Sequence, residues 1–332
     1  VPDAIYRISA TLFFLLLLFE YQRLGNFMTI NFAGKVAIVT GAGNGLGRSH
    51  ALALAARGAR VVVNDLGGAR DGSGGSLQAA LDVVALIEAR GGEAIASTAN
   101  VANFAEVELM VKQAMEQWGR VDILINNAGI LRDKSFSKMD LDDFRLVMDV
   151  HLMGSVNCCK AVWDIMKEQT YGRIVMTTSS SGMYGSFGQS NYAAAKMAVL
   201  GLMNTLVLEG MKFNIRVNAL APTSATRMTE DLLPREVLDM LTPESVTAAA
   251  LTLCHESAPN RMILCAGAGA YACTRLLETE GIFLPPDQQQ PEQVLAHWAQ
   301  INSDREQSEL QSGSAQVTKF LNKAKAAVQL QK

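Results

Sequence analysis

The sequence predicts an α/β protein: a doubly wound, mainly parallel sheet of seven strands with a C-terminal helical extension. Three observations predict it. From Lys35 onward, short apolar runs alternate with helical patterns, the rhythm of strand–helix–strand units. The first run, Val36 to Val39, opens into glycines at 41, 43, 45 and 47 and then into an Ala/Leu-rich stretch from Arg48 to Ala56. The chain has 332 residues, 49% of them apolar, enough to bury the core of one large domain with additions.

Taken in order, residues 1–27 stand apart. Ala10 to Phe19 is an apolar run, shorter than the roughly twenty residues of a membrane span. Glu20-Tyr21-Gln22-Arg23 follows where the small residues of a cleavage site belong. Met28 stands just before the first strand. The expected native start is Met28, with residues 1–27 as upstream or non-native sequence and a membrane anchor as the alternative. Strands are expected at 36–40, 60–65, 93–98, 121–126, 173–178, 214–219 and 261–265. Helices are expected near 45–58, 76–90, 103–118, 140–168, 189–211 and 243–256. Right-handed crossovers place the carboxyl ends of such strands on one edge, where ligands bind. After Gly269 the character changes, with the Pro285-Pro286 break, a Gln-rich segment and helical patterns near 291–302 and 314–330. The expected divisions are 1–27, a domain over 28–269, and an extension over 270–332 packed on that domain.

Composition narrows the function. A net charge of −3 offers no footprint for nucleic acid. The five cysteines, at 158, 159, 254, 265 and 273, are odd in number and lack C-x-x-C spacing. They are expected as reduced thiols of a cytoplasmic protein, with no metal site and no disulfide framework.

A buried strand, a glycine turn and a helix start make a phosphate site, because the helix's unpaired N–H groups and dipole face an anion. Gly41, Asn44, Gly45, Leu46 and Gly47 are the expected pyrophosphate contacts. Asp65 ends the second strand. A carboxylate there accepts the hydroxyls of an adenosine ribose and repels a 2′-phosphate. No Arg or Lys occupies 42–46 or 64–68 to neutralise such a phosphate, so NAD is the expected cofactor. Further along, Tyr192 and Lys196 share one face of a helical pattern, one turn apart. An ammonium and a positive nicotinamide ring would both favour the phenolate, turning a tyrosine into a base near neutral pH.

The glycine spacing reads T-G-x-x-x-G-x-G over Thr40, Gly41, Gly45 and Gly47. On this motif the chain resembles the short-chain dehydrogenase/reductase family, and the sheet it implies is a Rossmann fold. The resemblance extends to Asn126-Asn127-Ala128-Gly129, matching the family's N-N-A-G, and to Ser179, thirteen residues before Tyr192. It implies that Asn127, Ala128 and Gly129 line the cofactor, that Asn126 stabilises the sheet, and that Asn100 and Val101 meet the adenine. It makes Ser179, Tyr192 and Lys196 catalytic, with Ser179 polarising the substrate oxygen and Lys196 also holding the nicotinamide ribose. The neighbouring Thr178, Ser180 and Ser181 have the same local chemistry, so the choice of Ser179 rests on family spacing. Two departures stand out. His151 replaces an Asn that supports a proton path, and Thr223 replaces the Gly after Pro222. Pro222, Ser224, Ala225, Thr226 and Arg227 are then expected around the nicotinamide, in a loop able to act as a lid.

Both departures fit one branch. Val62 to Gly68, Asn126 to Asp133 (NNAGILRD), Tyr184 to Tyr192 (YGSFGQSNY), Arg227-Met228-Thr229 and Leu253 to Ser257 resemble the (3R)-hydroxyacyl-CoA dehydrogenase part of type-2 multifunctional enzymes. The resemblance implies oxidation of a (3R)-3-hydroxyacyl-CoA thioester, and a homodimer through the helices of 140–168 and 189–211. A free-standing, bacterial and cytoplasmic enzyme is expected. The alternatives are a 3-oxoacyl carrier-protein reductase, a dehydrogenase of steroids or other alcohols, and, outside catalysis, an NAD-binding scaffold.

Overall fold

The computed structural model describes residues 30–224 and 234–330. Seven strands fall where the apolar runs predict: β1 (Val36–Thr40), β2 (Arg60–Asn64), β3 (Ala94–Ser97), β4 (Ile123–Asn126), β5 (Gly172–Thr177), β6 (Ile215–Pro222) and β7 (Ile263–Gly267). They pair in parallel in the order β3-β2-β1-β4-β5-β6-β7. An eighth strand, β8 (Ala270–Thr274), adds antiparallel to β7. It corrects the expectation of seven. β8 is a short edge strand whose residues are largely exposed, and its run Ala270 to Cys273 follows β7 too closely to stand out as a strand of its own. The turn into it spans the expected boundary at 269/270.

β1 lies at the centre, buried at all five positions. Its side chains alternate between two cores, as a pleated strand must. Ala37 and Val39 pack with Leu54, Val83, Ile87 and Ala250, which belong to helices α1 (Gly45–Ala55), α2 (Gln78–Glu88) and α9 (Pro243–Cys254). Val36 and Ile38 pack with Met110, Val162, Met166 and Met203 from α3 (Phe104–Trp118), α5 (Gly154–Gln169) and α7 (Ser190–Gly210). The buried Asp122 closes the lower end of the sheet, accepting from the Val36 amide at 2.9 Å and from both Arg120 Nε and Nη2 at 2.7 and 2.6 Å.

The helix expected over 140–168 is interrupted. α4 (Leu141–Met148) passes into a π-helical turn, Asp149–Met153, before α5 begins. Short helices α6 (Ser180–Tyr184) and α8 (Arg235–Met240) complete the sheet domain. In the extension, the pattern near 291–302 forms two short helices, α10 (Pro291–Ala296) and α11 (Trp298–Ile301), meeting at His297. A two-residue ladder pairs β9 (Glu278–Thr279) with β10 (Gln307–Ser308). The final helix α12 (Gly313–Leu330) is tied to this ladder by Lys319, 3.0 Å from Glu278, and by Lys323, 2.5 Å from Glu280.

Candidate active site

The carboxyl ends of β1, β2, β4, β5 and β6 meet around a cavity of about 470 Å³. Every residue predicted for the site lines it, apart from Gly47 and the stretch Ala225, Thr226 and Arg227, which lies outside the described residues. A shallower depression of about 680 Å³ sits at the opposite sheet edge, between the ends of α5 and α7, lined by Trp163, Leu208 and Phe213. No site residue reaches it.

One end of the cavity is built by the glycine turn. Gly41 and Gly45 have φ of 63° and 52°, a region that glycine enters without strain. Gly47 lies behind the turn, off the cavity wall. A Cβ there would stand 2.1 Å from the Gly41 carbonyl oxygen, so it closes the turn by packing. Thr40 locks β1 to β4, its hydroxyl accepting from the Asn127 and Ala128 amides at 3.0 Å each. Asn127 Nδ2 returns bonds to the Thr40 and Gly41 carbonyls at 2.9 and 3.1 Å. Asp65 is held from two sides, accepting from the Gly43 and Gly67 amides at 2.7 Å each. Asn100 turns its side-chain oxygen to the Ala102 amide at 3.0 Å. Asn126 sits deeper, its Nδ2 3.4 Å from the sulfurs of Cys159 and Met176.

These residues fit a dinucleotide. Helix α1 starts at this cavity with no acidic residue in its first turn and no side-chain cap from Asn44. Its leading amides therefore remain for an anion. Asp65 stands one strand away, placed for the ribose.

At the other end, Ser179 leaves β5 and caps α6, accepting from the Ser181 amide at 3.2 Å. Its hydroxyl is close enough to Tyr192 to bear on the phenol's ionisation. Thr178 is committed elsewhere, donating to the Lys196 carbonyl at 2.6 Å. That leaves Ser179, Ser180 and Ser181 on the cavity wall, and the choice of Ser179 among them rests on the family spacing. One turn beyond Tyr192, the buried Lys196 Nζ donates to the Thr177 carbonyl at 2.7 Å and lies 5.5 Å from the centre of the Tyr192 ring.

The electrostatics differ from expectation. Burial pushes Lys196 down to about 7. Burial raises the Tyr192 phenol, the nearby Ser179 hydroxyl lowers it, and the negative Asp133 raises it further. Among the protein groups alone desolvation dominates, so the expected lowering of the phenol depends on the bound nicotinamide's charge as well as on Lys196.

His151 occupies the π-helical turn and is 3% exposed. Its Nε2 lies 3.1 Å from the Ile130 amide nitrogen and 2.8 Å from the Ile130 carbonyl. Its ring meets Tyr192 edge-on, with centroids 5.1 Å apart. Burial, reinforced by Lys196, holds it well below its ordinary pKa, so the imidazole is neutral. Nδ1 has no protein partner among the described residues. Gly129 makes the room: a Cβ there would stand 2.3 Å from His151 Cε1.

Sequence reasoning passed over two parts of the site. The loop from Leu66 to Gly72 walls the Asp65 end, and Ile130, Leu131 and Gln189 wall the middle. Five glycines between 67 and 75 were a signal of the loop. Nothing in the composition of 130–134 marks it.

A scan of protein families matches residues 35–236 to the family described as short chain dehydrogenase. A short-chain type dehydrogenase/reductase of Mycobacterium tuberculosis is 48% identical over 270 residues, covering 80% of this chain and 93% of that protein. The peroxisomal multifunctional enzyme type 2 of Mus musculus is 45% identical over 301 residues, covering 89% of this chain and 40% of that enzyme. The chain thus spans well under two thirds of this multifunctional relative. A solved 7α-hydroxysteroid dehydrogenase complexed with NADH and 7-oxo glycochenodeoxycholic acid matches with TM-score 0.65 and 30% identity, covering 72% of this chain and 95% of that one. The chain belongs to the short-chain dehydrogenase family, oxidoreductases that act on hydroxyl groups with a nicotinamide cofactor.

Proposed function

We propose that this chain is an NAD-dependent dehydrogenase converting (3R)-3-hydroxyacyl-CoA to 3-oxoacyl-CoA. One observation carries the chemistry: Ser179, Tyr192 and Lys196 face the same cavity as Asp65 and the uncapped start of α1. The thioester rests on the branch resemblance of NNAGILRD and YGSFGQSNY and on the likeness to the multifunctional enzyme.

Gly41, Asn44, Gly45 and Leu46 hold the pyrophosphate, Asp65 the adenosine ribose, and Asn127 to Gly129, Pro222 and Ser224 the nicotinamide half. When bound, the nicotinamide supplies the hydride acceptor. Ser179 donates a hydrogen bond to the substrate oxygen and stabilises its developing negative charge. Tyr192 receives the hydroxyl proton as that oxygen becomes a carbonyl. Lys196, fixed on the Thr177 carbonyl, orients the ribose and contributes positive charge beside the phenol. With Nε2 engaged at Ile130, His151 offers Nδ1 to a water that carries the proton outward. Asp65 favours NAD over NADP by holding negative charge where a 2′-phosphate would sit.

Steady-state kinetics with R and S 3-hydroxyacyl-CoA esters test the proposal. A strong R preference with NAD is expected, and activity on the S isomer alone, or on no thioester, overturns it. Tyr192→Phe is expected to lose turnover by about 10²–10⁴-fold while NADH titration stays at the wild-type affinity. A homodimer belongs to the same proposal, supported by the exposed Met197, Leu208 and Met211 along and just beyond α7. Light scattering that finds only monomer at micromolar concentration removes that part.

A further inference from the structure

Residues 130–134, on the way from β4 to α4, are bonded on three sides. Toward the loop 66–76, the Leu131 amide donates to the Arg70 carbonyl at 3.0 Å, and Arg132 Nε donates to the Asp71 carbonyl at 2.9 Å. Toward α4, Arg132 Nη1 and Lys134 Nζ pair with the two oxygens of Asp143 at 2.5 and 3.0 Å. Toward α7, the Lys134 amide donates to the Gly188 carbonyl at 2.9 Å, and Asp133 accepts from Gln189 Nε2 at 2.7 Å. The Arg132 carbonyl also accepts from Asn191 Nδ2 at 3.0 Å. Asn191 is fully buried, and its Oδ1 accepts from the Tyr192 amide at 2.7 Å. One continuous path therefore joins the Asp71 carbonyl, Arg132, Asn191 and the backbone of Tyr192.

The loop at the far end of this path is costly to order. Gly67, Gly72 and Gly74 have φ of 73°, 87° and 74°, and glycine loses more conformational freedom on ordering than any other residue. Leu66, Gly68, Ala69, Arg70 and Gly72 nevertheless form part of the cavity wall beside Asp65. The loop makes bonds of its own, from the Ala69, Gly72 and Ser76 amides to the Ser73, Ala69 and Leu66 carbonyls, and bonds from outside add to them. Two of the outside bonds come from Leu131 and Arg132.

We propose that Arg132 is a positioning residue that couples the order of loop 66–76, on the Asp65 side of the cavity, to the seating of Tyr192 at the start of α7. Arg132 touches neither end's chemistry. It acts because its planar fork satisfies the Asp71 carbonyl and the Asp143 carboxylate at once, which a lysine's single ammonium on a flexible stem does not reproduce. Coupling of this kind is reciprocal: whatever orders the loop also seats Tyr192, and the reverse. The inference goes beyond the proposed reaction and rests on the dinucleotide reading only in its cofactor measurement.

Hydrogen exchange followed by mass spectrometry on the cofactor-free protein is the test, with wild type, Arg132→Lys and Arg132→Met compared. Arg132→Lys keeps a charge beside Asp143 and changes a partly exposed position, so it keeps the fold even if Arg132→Met does not. Faster exchange is expected in peptides covering both 66–76 and 188–194, by roughly tenfold, the loss of a hydrogen bond to a charged group. A change confined to 66–76, or no change in either region, overturns the coupling. Fluorescence titration with NADH is expected to show the dissociation constant rising by a similar factor in Arg132→Lys. If wild type fails to bind NADH, the dinucleotide reading falls, while the exchange result decides the coupling independently.

Discussion

Asp65 shows how much work one carboxylate does when its surroundings hold it still. Both its oxygens accept backbone amides, from Gly43 and Gly67, so the charge is fixed relative to the glycine turn. Asp65→Ala combined with Leu66→Arg is expected to move the kcat/KM ratio toward NADP by at least about tenfold, since a repulsive charge is replaced by an attractive one. A wild type that already prefers NADP defeats this. Asp133 acts on Tyr192 with the opposite consequence for chemistry. Its negative charge holds the phenol up, so Asp133→Asn is expected to shift the rising limb of alcohol oxidation to lower pH. A pH profile superimposable on wild type would remove Asp133 from the proton balance. Most of these residues were legible: Tyr192 and Lys196 share a helix face and Asp65 ends a strand, while Ser179 was picked out by the family spacing alone. The raised tyrosine was not legible, because desolvation belongs to the folded surroundings and leaves no mark on spacing.

At the scale of elements, the π-helical turn between α4 and α5 carries the site's second departure. π turns inside α-helices are frequent at functional sites, and this one presents His151 to the Ile130 backbone and to Tyr192. An Asn at 151 still offers a donor and an acceptor to Ile130, whereas Leu leaves those buried groups unpaired at about 1–3 kcal/mol each. His151→Asn is thus expected to keep most of the turnover and His151→Leu to lose it along with thermal stability. Equal kcat in all three proteins reduces His151 to a packing residue. The turn was hidden in the sequence because one extra residue in a helical turn barely disturbs apolar periodicity. β8 escaped for a related reason: an exposed edge strand has no face to bury. The strands from β1 to β7 were plain, since a strand covered on both sides must be apolar throughout.

Across the whole molecule, the most testable burden is a histidine off the cavity wall. His50 on α1 is fully buried against α9, its Nδ1 2.8 Å from Thr247 Oγ1. Burial lowers its pKa from 6.5 to about 4. The unfolded chain therefore takes up this proton first as pH falls. Stability is complete above about 6.5 and drains away between there and about 4, by about 3 kcal/mol from this residue. Urea unfolding at pH 7.5 and pH 5 measures it, and His50→Gln is expected to reduce the difference, the buried His151 contributing in the same direction; a wild type equally stable at both values contradicts the assignment. The strand order has a consequence of another kind, in time. β1 is central, and its first residue, Val36, bonds to Asp122, 86 residues further along the chain. At about 5–20 residues per second of synthesis, the ribosome takes roughly 4–17 s to deliver that partner. During that interval one flank of β1, an apolar strand buried on both sides in the finished sheet, waits with only β2 beside it. The strand at the centre of the finished enzyme is thus an edge strand at birth.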